Sequence, residues 1–144
     1  MASEIRAEAV FKGGMRFEGV SHASGKTVAL DFVPAGLSSK PDGFTPVELM
    51  LTSLAACSGQ VVVGLLKKMG QDVRGLTVRA SGVKRDAHPM VLASAELVFE
   101  LHGVNLDPSS VERAVFLSED RYCPVWNMLK AGVPITSSFK IFEV

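Results

Sequence analysis

Two thiols stand in a chain of 144 residues, Cys57 and Cys123, and they are the side chains with the most reactive chemistry on offer. A thiolate attacks peroxides and disulfides, and a second thiol within reach can close a disulfide with the first. Cys57 sits in Ala-Ala-Cys-Ser-Gly, where small neighbours leave room around the sulfur. Cys123 sits in Arg-Tyr-Cys-Pro, just past a helix that ends in charge. Pro124 fixes the turn there and favours the start of a short helix over 125–130, which sets the thiol near a positive helix pole, with Arg121 close in sequence. Both features favour a thiolate. A plainer reading accounts for the same residues. Free cysteine is among the most buried residue types, and composition alone favours two inert core thiols over a working pair.

Cys57 must be positioned by the stretch from Thr45 to Gly70, which reads as one long helix. Thr45 can cap it, Pro46 fits the first helical position, and Glu48, three residues after Thr45, can close a capping box. Lys67 and Lys68 suit the negative pole, and Gly70 suits a left-handed stop. Between the caps nearly every face is apolar, so the helix is expected to be buried on all sides. Thr52, Ser53, Ser58, Gly59 and Gln60 interrupt it too often for a membrane span.

The rest of the chain reads as strands and two more helices. Residues 4–11, Met15 to Ser21 and Thr27 to Val33 alternate as three strands, turning at Gly13-Gly14 and Ser24-Gly25. Residues 34–44, with two prolines and two glycines, are a loop. After the Cys57 helix come strands over Val73 to Val83 and Val91 to Leu101. A helix follows, capped by Asp107, opened by Pro108 and running to about Asp120. The short helix and a last strand over Pro134 to Val144 complete the chain. Three strands, helix, two strands, helix, strand is an α+β order with an antiparallel sheet, and residues 1–144 form a single domain in this reading.

Composition removes several function classes. Fifteen basic and fifteen acidic side chains cancel, which leaves no electrostatic footprint for nucleic acid or an anionic membrane. Sparse aromatics argue against a base-stacking platform. The N-terminal MASEIRAEAVFKGG lacks the apolar core of a secretory signal, and two distant cysteines then suit a reducing cytoplasm. Gly25-Lys26-Thr27 resembles the end of a phosphate loop, but Val20 stands where the first glycine is required. His22, His88 and His102 have no ligand spacing, and neither a GxSxG nor a dinucleotide glycine fingerprint is present.

Pro46-Val-Glu-Leu, then Leu-Ala-Ala-Cys57, then a Cys-Pro late in the chain, resembles the OsmC/Ohr family of osmotically inducible and organic hydroperoxide resistance proteins, and the order of elements agrees over nearly the whole chain. The resemblance implies an intertwined homodimer with its long helices packed centrally. It also implies thiol peroxidase activity toward organic hydroperoxides, in a stress response, with Cys57 peroxidatic and Cys123 resolving. An external dithiol, with a lipoyl group as the family precedent, would restore both thiols. No metal or bound cofactor is implied.

Well-studied members carry an arginine oriented by a glutamate directly after the helix-opening proline. Here that position is Val47 and the acid comes one residue later, at Glu48. Nine residues separate Glu48 from Cys57, which puts them on opposite faces of the helix and roughly 13 Å apart along its axis. Glu48 would therefore serve either a partner subunit's site or the capping box. Arg16, after Gly13-Gly14-Met15, is the first candidate for the arginine, and Arg121 the second. The Pro-x-Glu-Leu form also resembles a less characterised branch, so a binding protein with a hydrophobic small molecule in the dimer cleft and inert thiols is the alternative expectation.

Overall fold

The structure, a computed structural model, describes residues 2–144. The chain divides into two compact units, one reaching to Met50 and one from Leu51 to Val144. The long helix α1 (Pro46–Lys68) begins in the first and continues in the second.

The first unit is an antiparallel meander of β1 (Ala7–Gly13), β2 (Arg16–Ser21) and β3 (Thr27–Leu30). The strands are shorter than the alternation suggested, starting at Ala7 and ending at Leu30. Phe11 pairs with Phe17 across β1 and β2, with ring centroids 5.6 Å apart. The 34–44 loop returns to β3, where the Phe44 N–H donates to Ala29 O and Phe44 O accepts from the Asp31 N–H. No described residue of this unit is buried, and a three-stranded sheet needs a covered apolar face for independent stability.

The capping box at the start of α1 is present. The Glu48 N–H donates to Thr45 Oγ1 at 3.3 Å, while Glu48 Oε1 accepts from the Thr45 N–H and hydroxyl at 3.0 Å each. These bonds hold the Glu48 carboxyl below its ordinary range. A carboxyl depressed on folding adds stability above its unfolded pKa and loses it as the pH falls through the folded value. Thr45→Ala, which removes the hydroxyl and keeps the N–H, is therefore expected to lower stability near neutrality. The gap between the two proteins should narrow as the pH falls below about 4, in denaturant melts run across the acid range.

In the second unit, β4 (Asp72–Lys84) and β5 (Leu92–Val104) pair antiparallel, as expected, but β6 (Ile135–Glu143) lies parallel to β5. The antiparallel expectation thus fails for the last strand, and the six strands form two sheets rather than one. The reason is the connection: α2 (Pro108–Leu117), a π-helical turn (Ser118–Tyr122) and α3 (Pro124–Leu129) lie between β5 and β6. A helical crossover of this length returns a strand in the same direction, which a tight hairpin cannot do.

Leu97, Phe99 and Leu101 of β5 point inward at period two and meet Leu54, Val62 and Leu66 of α1, Val111 and Ala114 of α2, and Trp126 of α3 in one core. Gly59 is where the helix closes on the sheet, since a Cβ there would stand 3.2 Å from Val78 Cγ2 of β4. The expectation that α1 is buried on every side is not met. Leu54, Ala55, Ser58, Gly59, Val62 and Leu66 are buried, whereas Thr52, Ala56, Gln60, Gly64 and Lys67 are exposed. This chain covers one face of the helix, and the open face carries Thr52, Gln60 and Lys67 beside the small residues Ala56 and Gly64.

Candidate thiol site

Cys57 lies mid-helix in α1, one residue before the buried Ser58. Cys123 arrives from the other side of the core. Asp107 caps α2 by accepting from the Ser110 N–H at 3.2 Å, and Pro108 occupies the first turn. The helix was expected to run on to about Asp120, but at Ser118 it widens into the π-helical turn. Such turns insert an extra residue per turn and often occur at functional sites. The turn closes where the Cys123 N–H donates to Ser118 O at 3.0 Å, and it leaves Cys123 in an extended conformation.

The Cys123 sulfur itself caps α3, accepting from the Trp126 N–H at 3.4 Å, with Pro124 at the first helical position. The Ser58 hydroxyl donates to the same sulfur at 3.3 Å. Asn127 Nδ2 donates to Cys123 O at 2.8 Å and fixes the backbone. Cys123 is fully buried.

The two thiols, far apart in sequence, are brought into contact. Cys57 lies beside Cys123 and the backbone N–H of Val125, and Ser58, the next residue on α1, donates to the Cys123 sulfur. Burial, first, and then the neighbouring Cys123 thiol push the Cys57 thiol up, while the Val125 N–H pulls it down. Cys57 is half-buried and Cys123 fully buried, so Cys57 is the more accessible of the two residues.

The other residues expected at the site have partners of their own. Arg16 belongs to the first unit and pairs with Asp42 at 3.6 Å. Asp31 directly follows β3. Its carboxylate accepts from the Asp42 and Phe32 N–H groups, and these bonds, with a smaller contribution from the Arg16 charge, hold it below the ordinary range. Glu48 closes the capping box. Arg121 lies in the π-helical turn, exposed, with its guanidinium 5.7 Å from the centre of the Tyr122 ring.

Sequence reasoning missed two participants. Ser58 stood out as a polar interruption of a greasy helix, yet nothing in sequence aimed it at a sulfur 65 residues away. The Trp126 N–H is a backbone group with no sequence signal.

A paired thiol, one sulfur on a long helix and the other capping a short one, on an α+β frame with a parallel last strand, defines a recognisable class. The chain belongs to the OsmC family, whose OsmC-like protein model matches residues 39–138. Protein YhfA of Escherichia coli K12 is 32% identical to it over 137 residues, which is 95% of this chain and 98% of that one. The crystal structure of a hypothetical protein from Aquifex aeolicus has the same fold, with TM-score 0.87 and 23% identity over 99% of both chains. So does the organic hydroperoxide resistance protein OhrB of Bacillus subtilis, with TM-score 0.63 and 16% identity over 96% of this chain and 98% of that one.

Proposed function

We propose that the protein is a thiol-dependent peroxidase for organic hydroperoxides, working as a cytoplasmic homodimer. The observation that carries this reading is the placement of Cys57 beside Cys123, whose sulfur accepts from the hydroxyl of the adjoining Ser58 at 3.3 Å. The Cys57 thiolate attacks the hydroxyl oxygen of the hydroperoxide. The O–O bond breaks, the alkoxide leaves and takes a proton to become the alcohol, and the sulfur becomes a sulfenic acid. Cys123 then attacks the Cys57 sulfur. The S–O bond breaks, water leaves, and the disulfide forms before over-oxidation to sulfinic acid can occur. An external dithiol, lipoyl-bearing or small, returns the two electrons.

An apolar surround favours an alkyl hydroperoxide over hydrogen peroxide, since the alkyl tail gains by burial. Because burial pushes the Cys57 thiol up, a cation must offset it. Arg16, steadied by Asp42, is the first candidate in this reading, and Arg121 the second. Glu48 is assigned to the helix cap.

The first unit's lack of buried residues and the uncovered face of α1 support an intertwined dimer. A cleft of about 700 Å³ along α1, lined in part by Ala56, Val63, Gly64 and Val78, favours the alternative of a hydrophobic ligand held there with both thiols inert.

One experiment separates the two. Reduced protein is given one equivalent of an organic hydroperoxide, beside hydrogen peroxide, and its free thiols and intact mass are followed. Loss of both thiols with a mass change of one disulfide, faster with the organic peroxide, is expected. Survival of both thiols under both oxidants would turn attention to the cleft.

A further inference from the structure

We propose that Ser58 is a positioning residue that makes Cys123 the leaving sulfur when the oxidised pair is reduced. The inference deepens the thiol-pair reading above and rests on it. The two sulfurs stand in different surroundings. Cys123 is fully buried and accepts from the Ser58 hydroxyl at 3.3 Å and the Trp126 N–H at 3.4 Å. Cys57 is partly open to solvent and has the Val125 N–H beside it. Ser58 is itself fully buried, so its hydroxyl acts without competition from water.

Thiol–disulfide exchange is governed by which sulfur is attacked and how well the other leaves. The accessible sulfur is Cys57, so a thiolate of the external dithiol attacks there. The Cys57–Cys123 bond breaks and its electron pair goes to Cys123, which leaves as a thiolate. The Ser58 hydroxyl and the Trp126 N–H receive that charge at once, because both already point at the sulfur. The second thiol of the reductant then attacks its own sulfur in the mixed disulfide and releases Cys57. Two electrons and two protons have passed, the dithiol is oxidised, and the protein pair is reduced.

The direction of the effect follows. Donors aimed at a thiolate stabilise the reduced state and make the disulfide more oxidising. Trp126 donates through its backbone and no side-chain change removes that bond. Ser58 donates through its side chain and can be tested. It directly follows the cysteine on α1, and the first turn of α3 presents Cys123 to it.

The test measures the potential of the pair and its two half-reactions in the full-length protein. Wild type, Ser58→Ala and Ser58→Thr are equilibrated in buffers of reduced and oxidised dithiothreitol, and thiol content is read by mass. Ser58→Ala is expected to lower the equilibrium constant for reduction of the pair by roughly tenfold, about 30 mV. Its disulfide should be reduced about tenfold more slowly by dithiothreitol, a larger change than in the rate at which the Cys57 sulfenic acid forms. Ser58→Thr, which retains the hydroxyl, is expected to return the potential toward wild type. A purely structural role would slow both half-reactions together and leave the potential in place, and that result would overturn the proposal. An unchanged potential and reduction rate in Ser58→Ala would overturn the role of Ser58 alone. A wild-type chain that forms no Cys57–Cys123 disulfide in any buffer would overturn the thiol-pair reading and this proposal with it.

Discussion

Cys57→Ser is expected to abolish consumption of organic hydroperoxides, with a loss of at least about a thousandfold in kcat/KM. In the proposed cycle the sulfur is the atom that accepts oxygen, and a serine hydroxyl is neither ionised near neutrality nor soft enough to open the O–O bond. Cys123 cannot substitute, because it is fully buried while Cys57 is the more accessible residue. The companion variant, Cys123→Ser, should still lose peroxide in a first turnover. Its Cys57 would then have no thiol to condense with and should accumulate sulfinic acid, seen as a gain of two oxygen atoms by intact mass. Full turnover by Cys57→Ser would sink the mechanism, since no other thiol is within reach of Cys123.

The second large effect is on stability. Trp126→Ala should destabilise the protein by about 3–5 kcal/mol, because large-to-small changes in a packed core lose both burial and cavity-lining contacts. Trp126 is 1% exposed and sits in the core with Phe99 and Val111. A domain of this kind has about 5–15 kcal/mol in total, so the variant stands close to its unfolding threshold. The loss falls on the functional element as well. Trp126 anchors the short helix whose first turn is capped by the Cys123 sulfur. Trp126→Phe, which preserves most of the volume and the backbone donor, should retain the thiol pair with a smaller loss. Equilibrium unfolding of the three proteins gives the stabilities. The rate of disulfide formation after one equivalent of hydroperoxide shows whether Cys123 still reaches Cys57. A Trp126→Ala protein with wild-type stability would mean that this side chain is not part of the core that positions α3.

Much of the frame was legible in the chain, because local signals fix local structure. Thr45, Pro46 and Glu48 spell a helix start, and the capping box they form is the one observed. Asp107-Pro108 opens α2 and Cys123-Pro124 opens α3 for the same reason: side chains beside a proline satisfy the free N–H groups of a first turn. The run from Pro46 through Cys57 to the late Cys-Pro also sufficed to indicate the family. Three things lay outside local reach. The direction of β6 depends on the whole length and course of the helical crossover, which no strand signal encodes. The open face of α1 depends on what else surrounds the helix, so an all-apolar sequence predicts that a cover exists without saying whether the same chain supplies it. The site was decided in the tertiary structure. A serine and a cysteine 65 residues apart meet because α1 packs on one side of β5 core residues with the α2–α3 crossover packed into the same core. A hydrogen bond between side chains that distant in sequence depends on that packing, whereas caps and turns depend only on residues a few places away.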